Sequence, residues 1–112
     1  MIPKLENYEK DFGAELLCPS CGGINLHHDA VEIFECGEDA KHGVHVTVAD
    51  GKATMDTSLA GNPSGRRHGL KISLWCEQCH EKPVLIIKQH KGSTYLDLIP
   101  SGQATAAKPG TT

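Results

Sequence analysis

Four of the five cysteines in this 112-residue chain form two tight pairs, each with two residues between its members. The first pair is Cys18 with Cys21, and the second is Cys76 with Cys79. This spacing lets both sulfurs of a pair face one point while the backbone turns sharply. A closed structural zinc site takes four thiolate or imidazole ligands in a tetrahedron. The sequence therefore predicts one structural Zn²⁺ held by Cys18, Cys21, Cys76 and Cys79.

The two pairs resemble the knuckles of the zinc-ribbon family, in which two such motifs clamp one zinc ion at the end of a small antiparallel sheet. The residues that carry the resemblance are Leu17–Gly22 and Trp75–Cys79. The motifs are commonly ~15–20 residues apart, whereas 54 residues (22–75) separate them here. One or two hairpins must therefore be inserted between them. Gly22 follows the first knuckle and suits a left-handed turn, but His80 follows the second.

Other uses of these thiolates are open from the sequence. A rubredoxin-like iron site would take the same four sulfurs, and a Cys₃His or Cys₂His₂ site would recruit His27, His28, His42 or His80. A thioredoxin-like redox motif expects its Cys-x-x-Cys at a helix start in a βαβ context, and no such helix is predicted. Structural zinc suits a small core, because its binding is worth roughly 10–16 kcal/mol in peptides against ~5–15 kcal/mol for a whole domain.

The cellular setting follows from cysteine usage and from the lack of targeting segments. An odd cysteine count with two Cys-x-x-Cys pairs indicates metal or redox chemistry in a reducing compartment, with Cys36 left as an unpaired thiol. The first residues lack the basic and apolar regions of a signal peptide. The longest aliphatic run, Val84–Ile87, is far shorter than the ~18 residues of a membrane span. These features predict a cytoplasmic protein that makes no membrane contact.

The residues that could contact a partner lie near the second knuckle. Arg66, Arg67 and Lys71, in or beside a Gly- and Pro-rich loop, are candidates for phosphate contacts. Trp75 would either cover the zinc site or stack with a partner. The net charge of −3 excludes a strongly basic polyelectrolyte, and the loop could instead pair with the acidic stretch Glu35–Asp39. No catalytic nucleophile is recognisable, so enzymatic activity is not expected.

Short strands separated by turn residues are predicted around these motifs. Asp50-Gly51, between two alternating segments, is typical of a type I′ hairpin turn. No segment after residue 15 has a helical period. The expected strands are Leu26–Glu35, Val44–Val48, Lys52–Leu59, Leu70–Leu74, Pro83–His90 and Thr94–Ile99.

The chain length allows one domain. We expect a mainly β, antiparallel zinc ribbon with inserted hairpins over residues 16–99, preceded by an arm or short helix over 1–15. Residues 100–112 have no large apolar side chain and are predicted to be a disordered tail. The predicted function is a small binding module with a structural zinc ion that contacts nucleic acid or nucleic-acid machinery. The alternatives are a protein–protein interaction module and a thiol redox or metalloenzyme role.

Overall fold

A computed structural model describes residues 1–38 and 40–100 of the chain. These residues form two antiparallel sheets, one of two strands and one of six, which confirms the mainly β prediction. No helix in these ranges is long and apolar enough to cross a membrane. The expected tail lies outside the described residues except for Pro100. The strands are β1 (Leu5–Glu9), β2 (Gly13–Leu16), β3 (Leu26–Glu35), β4 (Val44–Ala49), β5 (Lys52–Asp56), β6 (Gly69–Cys76), β7 (Val84–His90) and β8 (Ser93–Ile99).

The first residues form a β-hairpin, so the short helix that the sequence left open over residues 1–15 is not formed. β1 and β2 pair in antiparallel fashion, and Gly13, where β2 begins, has a left-handed φ of 96°. Few residues other than glycine accept this conformation. Tyr8 and Phe12 remain 73% and 88% exposed, so their i, i+4 spacing does not reflect a packed helical face. Local turn geometry decides the structure of this segment.

The six-stranded sheet has the order β5-β4-β3-β6-β7-β8, with every neighbouring pair antiparallel. Only the β3–β6 pair joins strands that are not consecutive in sequence, and the β4–β5 hairpin is inserted between them. β3 follows the first knuckle and β6 leads into the second. The insertion therefore lengthens the chain between the knuckles while the two strands attached to them still pair directly.

Tight turns close the hairpins of this sheet. Asp50–Gly51 has φ values of 53° and 76°, as a type I′ turn requires, and Lys91–Gly92 joins β7 to β8 with φ values of 50° and 82°. β5 ends at Asp56 instead of continuing to the predicted Leu59. The cause is local: the Asp56 carboxylate accepts a hydrogen bond from the Ser58 N–H at 2.8 Å, which turns the backbone out of the ladder.

One side of the large sheet, here called the apolar face, carries aliphatic side chains from β4 to β8. At the metal end of this face Leu74 and Leu98 are buried, with 6% and 1% exposure, whereas Ile33 and Val48 are 44% and 42% exposed. Pairing registers place the following residues on the apolar face: Val31, Ile33, Val44, Val46, Val48, Leu70, Ile72, Leu74, Leu85, Ile87, Leu96 and Leu98.

The opposite side of the sheet is partly covered by the segment from residue 60 to residue 68, here called the basic loop. Phe34 lies beneath it, 1% exposed, and stacks on the His45 ring at 4.4 Å between centroids. The Asn62 side-chain amide donates to the Arg67 carbonyl at 2.9 Å. An aromatic side chain and a self-bonded loop thus supply a second small core on this side.

Candidate metal centre

Strand pairing brings the two knuckles together at one end of the large sheet. Cys18 and Cys21 follow β2, and Cys76 is the last residue of β6. In the β3–β6 ladder Leu26 is the partner of Cys76, so the start of β3 holds the chain leaving the first knuckle beside the second. The metal site is therefore positioned by the hydrogen-bond register of two strands.

Asn25, which follows the first knuckle, is linked to the second knuckle by two hydrogen bonds. The sequence patterns did not identify this residue. Its carbonyl accepts a hydrogen bond from the Glu77 N–H at 3.1 Å. Its side-chain oxygen accepts one from the Gln78 amide at 2.6 Å. An asparagine just before a strand reads as an ordinary turn residue, so only the fold reveals this link.

The four predicted sulfurs converge on one point. All four Sγ atoms lie within 4.8 Å of one another. Two separations between the knuckles are 3.6 Å, Cys18–Cys79 and Cys21–Cys76. A tetrahedron with metal–sulfur bonds of about 2.3 Å has sulfur–sulfur edges of about 3.8 Å, whereas a disulfide bond is about 2.05 Å long. The spacing therefore fits four thiolates around one metal ion rather than two disulfides.

Both knuckles have the same hydrogen-bond pattern around their first cysteine. Cys18 donates its N–H to the Gly23 carbonyl at 2.9 Å, and Cys76 donates to the Glu81 carbonyl at 3.0 Å. Each first cysteine also accepts, at its carbonyl, an N–H from the residue four positions later, at 2.9 Å and 3.0 Å. The two segments therefore fold as equivalent turns despite having different residues after the second cysteine.

Backbone N–H groups also point at the sulfurs. Ser20 donates to Cys18 Sγ and Gly23 donates to Cys21 Sγ, each at 3.4 Å. In the second knuckle the Gln78 N–H donates to the Cys76 sulfur and the Glu81 N–H donates to the Cys79 sulfur. Every sulfur thus receives an N–H from the residue two positions after it, and such donors favour the charged thiolate form that a metal binds.

The thiols influence one another strongly. The pKa of Cys76 is lowered to about 7, chiefly because the Cys79 N–H donates to its sulfur. The Glu81 N–H lowers the pKa of Cys79, but desolvation and bonds with the other three thiols outweigh it and raise that pKa to about 12. Four sulfurs this close cannot all carry charge without a cation among them. A bound cation would therefore allow all four sulfurs to be thiolates at neutral pH.

Exposure differs within the cluster. Cys18 and Cys76 are buried, at 3% and 0% exposure, while Cys79 is half-buried and Cys21 is exposed. The fifth cysteine, Cys36, is buried outside the cluster, and its thiol donates to the Gly37 carbonyl at 3.2 Å. The Cys₄ set is the group of potential metal ligands that the described residues bring together.

Trp75 lies beside the site but on the opposite side of β6 from Cys76. Its ring stacks on His27 with centroids 4.4 Å apart, and the His27 Nε2 atom lies 2.6 Å from a Glu77 carboxylate oxygen. Trp75 remains 37% exposed. It is thus packed on a histidine while one part of its indole stays accessible. Among the described residues the His80 ring makes no hydrogen bond to a cluster sulfur, and this residue contacts the knuckle through its backbone N–H, which donates to the Cys76 carbonyl at 3.0 Å.

The basic loop is partly neutralised by nearby carboxylates. Arg67 forms an ion pair with Glu38 at 3.3 Å, and Lys71 forms one with Glu32 at 3.6 Å. Glu38 belongs to the acidic stretch that the sequence offered as an alternative partner for the loop. Arg66 is exposed. The loop therefore lies on the side of the sheet that carries Trp75, but the structure does not bring its cations to the metal centre.

Two histidines, His45 and His68, have partners away from the metal centre. His45 lies with its two ring nitrogens 3.1 Å from an Asp56 oxygen and 3.0 Å from a Glu32 oxygen. His68 Nδ1 accepts a hydrogen bond from the Cys36 N–H at 2.9 Å. Both residues thus contribute to the packing and hydrogen bonding of the sheet.

The likeness to a zinc ribbon consists of the two knuckles and the convergence of their sulfurs. Four cysteines positioned to hold one metal ion are present in a small all-β fold. No protein-family model, curated protein or solved structure matches this chain.

Proposed function

We propose that this chain is a non-enzymatic binding module in which Zn²⁺, held by the four knuckle cysteines, has a structural role. The observation that carries this proposal is the convergence of four sulfurs, two of them buried, from segments on either side of the inserted hairpin. Four thiolates complete a tetrahedral shell, so such a site has no open position for a substrate. The cysteines join β2 and β3 to the end of β6, where the buried core is small.

Elemental analysis of the protein purified without added metal tests the zinc proposal. We expect one zinc per chain, lost in the Cys76→Ser variant and kept in Cys36→Ser, which changes a cysteine outside the cluster. Iron in place of zinc would support the rubredoxin-like alternative, and a folded chain with no metal would contradict the proposal. A thiol redox role is less well supported, because a bound ion would keep all four thiolates from reacting.

Nucleic acid is the partner class that we propose. The support is the zinc-ribbon resemblance together with an exposed basic loop and a part-exposed tryptophan on the same side of the sheet. The ion pairs of Arg67 and Lys71 are part-exposed, and such pairs are worth only about 0–1 kcal/mol. A phosphate can therefore compete with Glu38 and Glu32 for these cations.

A titration of a labelled oligonucleotide at several salt concentrations tests this proposal. Affinity that rests on phosphate contacts falls linearly with salt on logarithmic axes. We expect Arg66→Ala with Arg67→Ala to weaken binding, and Lys10→Ala with Lys52→Ala, which removes equal charge elsewhere, to leave it unchanged. Affinity that does not depend on salt, or that survives the loop substitutions, would contradict phosphate contact at this loop.

A second candidate function is self-association through the apolar face. Ile33, Val48, Met55 and Leu96 are 42–73% exposed there, and Glu35, the partner of Val44, is the charged residue that strand pairing places on this face between β4 and β7. Contiguous exposed apolar residues of this kind mark candidate interaction sites. Two sheets of this kind can pack face to face, and a two-fold axis would pair the face with itself.

Light scattering over a range of concentrations tests this second candidate. We expect a dimer that Val48→Glu converts to a monomer, while Thr54→Glu, on the other side of the sheet, leaves it intact. A wild-type chain that is monomeric at every concentration would rule out self-association as the function of this face.

A further inference from the structure

A cleft lies between the basic loop and the β7–β8 hairpin. It has a volume of about 360 Å³. Residues Pro63–Gly65 of the loop form one wall, and Lys88, His90 and Tyr95 of the hairpin line the other. The two walls come from segments more than twenty residues apart, so the cleft is created by the fold. We call it the loop–hairpin groove.

The groove is held in shape by hydrogen bonds beneath it. Ser64 is 5% exposed, and its hydroxyl donates to the Gln89 carbonyl at 2.9 Å while accepting the Arg67 N–H at 3.0 Å. The Gln89 N–H in turn donates to the His68 carbonyl at 3.0 Å. The loop is therefore fixed to β7 before any ligand arrives, which lowers the entropy cost of binding.

The charge of the groove is opposite to that of the whole chain. Lys88 and His90 line it, no carboxylate does, and Lys91 follows at the hairpin tip. Within the described residues neither lysine forms an ion pair, in contrast to Lys71 and Arg67, which are paired with glutamates. In a chain of net charge −3, cations without paired carboxylates in a preformed cleft indicate an anionic ligand.

An aromatic ring accompanies these cations. Tyr95 is the partner of Lys88 across the β7–β8 ladder and is 49% exposed. His90 meets its ring edge-on at 6.1 Å between centroids. A half-exposed aromatic beside lysines is the combination that binds single-stranded nucleic acid, where bases stack and phosphates are neutralised. The volume is near the lower end of ligand sites, which suits a single strand better than a duplex.

We propose that the loop–hairpin groove binds single-stranded nucleic acid, with Lys88 and Lys91 neutralising phosphates and Tyr95 stacking on a base. This inference rests on the nucleic-acid function proposed above and locates the binding site. It adds to the loop cations Arg66 and Arg67 two lysines, Lys88 and Lys91, that form no ion pair with any residue the structure describes.

Fluorescence anisotropy with a labelled twelve-nucleotide oligothymidine and the zinc-loaded full chain tests the inference. The variant with Lys88→Glu and Lys91→Glu is compared with one that has Lys10→Glu and Lys52→Glu. Both change the net charge equally, but Lys10 lies in the β1–β2 turn and Lys52 in the edge strand β5, at the opposite side of the sheet from β8. Tyr95→Ala is compared with Tyr8→Ala, whose ring is 73% exposed on the small hairpin.

We expect the groove pair to weaken binding at least tenfold and to reduce the salt slope by about 1.4, since each lysine contributes about 0.7 on a single strand. Tyr95→Ala should weaken binding about tenfold, and the control variants should bind like wild type. Equal losses in both lysine pairs would overturn the inference, because net charge alone would then explain binding.

Two further outcomes separate this inference from the function on which it rests. If the wild type binds and the groove variants bind equally well, the groove is not the site but nucleic-acid binding stands. If the wild type binds no oligonucleotide even at 50 mM salt, both proposals fail. Zinc content and circular dichroism of each variant establish that a loss of binding reflects the groove and not unfolding.

Discussion

Gly22 and His80 occupy the same position in the two knuckles. Each donates its N–H to the carbonyl of the first cysteine of its knuckle, and each has a left-handed backbone, with φ values of 77° and 63°. Each knuckle therefore needs a left-handed residue directly after its second cysteine, and this residue is glycine in the first knuckle but histidine in the second. His80 shows that the geometry of the turn, and not the residue type, is what the second knuckle preserves.

This equivalence predicts opposite effects of two substitutions. Gly22→Ala should cost about 1 kcal/mol, because a Cβ strains the left-handed conformation. His80→Gly should stabilise the protein by about 0.5 kcal/mol, because relief of that strain exceeds the added chain entropy of glycine. Urea unfolding of the zinc-loaded protein measures both. Gly37→Ala, at a position with no left-handed φ, serves as the control, and equal destabilisation by the two knuckle variants would contradict the equivalence.

The cluster predicts which thiols react with an alkylating reagent. Cys21 is exposed and Cys79 half-buried, so the reagent can reach both in the metal-free protein, and both should react faster as pH rises because their pKa values are raised. With zinc bound they should be protected, because a metal-bound thiolate is a poor nucleophile. Mass spectrometry before and after chelation counts the modified residues. Rapid modification of Cys21 in the presence of bound zinc would contradict its role as a ligand.

Zinc affinity should increase with pH. Protons compete with the metal for the sulfurs, and in the metal-free protein the pKa of Cys79 is raised to about 12 while that of Cys76 is lowered to about 7. Cys79 therefore stays protonated throughout the neutral range, so the apparent affinity should still rise between pH 7 and pH 9 and should fall steeply in acid. Competition with a chromogenic chelator at each pH measures it. A plateau above pH 7 would contradict the shift at Cys79.

Gly69 should be essential for the packing of the basic loop against the sheet. A Cβ at this buried position would overlap the Asn62 side chain and the Pro63 ring, and overpacking of this kind costs about 1–3 kcal/mol. Gly69→Ala should lower the urea midpoint by a corresponding amount and leave the zinc content unchanged. Gly65→Ala, whose Cβ would meet no atom within 4 Å, should behave like wild type. Equal stability of the two variants would show that the loop shifts at no cost.

The metal ligands and most strands could be predicted from sequence because their signals are local. Two residues between cysteines define a knuckle wherever it lies, and Asp50-Gly51 fixes its hairpin through the backbone of two residues. Strand alternation is likewise read over a few positions. The N-terminal hairpin was not predicted, because its pairing depends on the left-handed turn at Gly13 and not on an alternating pattern in residues 1–15.

Local patterns therefore identify the four sulfurs and the β character of the chain between them. Which segments meet was decided by the tertiary structure alone. The β3–β6 pairing brings Leu26 beside Cys76, and the seating of Ser64 against Gln89 creates a cationic groove with Tyr95 and Lys88. These contacts join residues far apart in the chain, so they depend on long-range register and burial, which no short window of sequence contains.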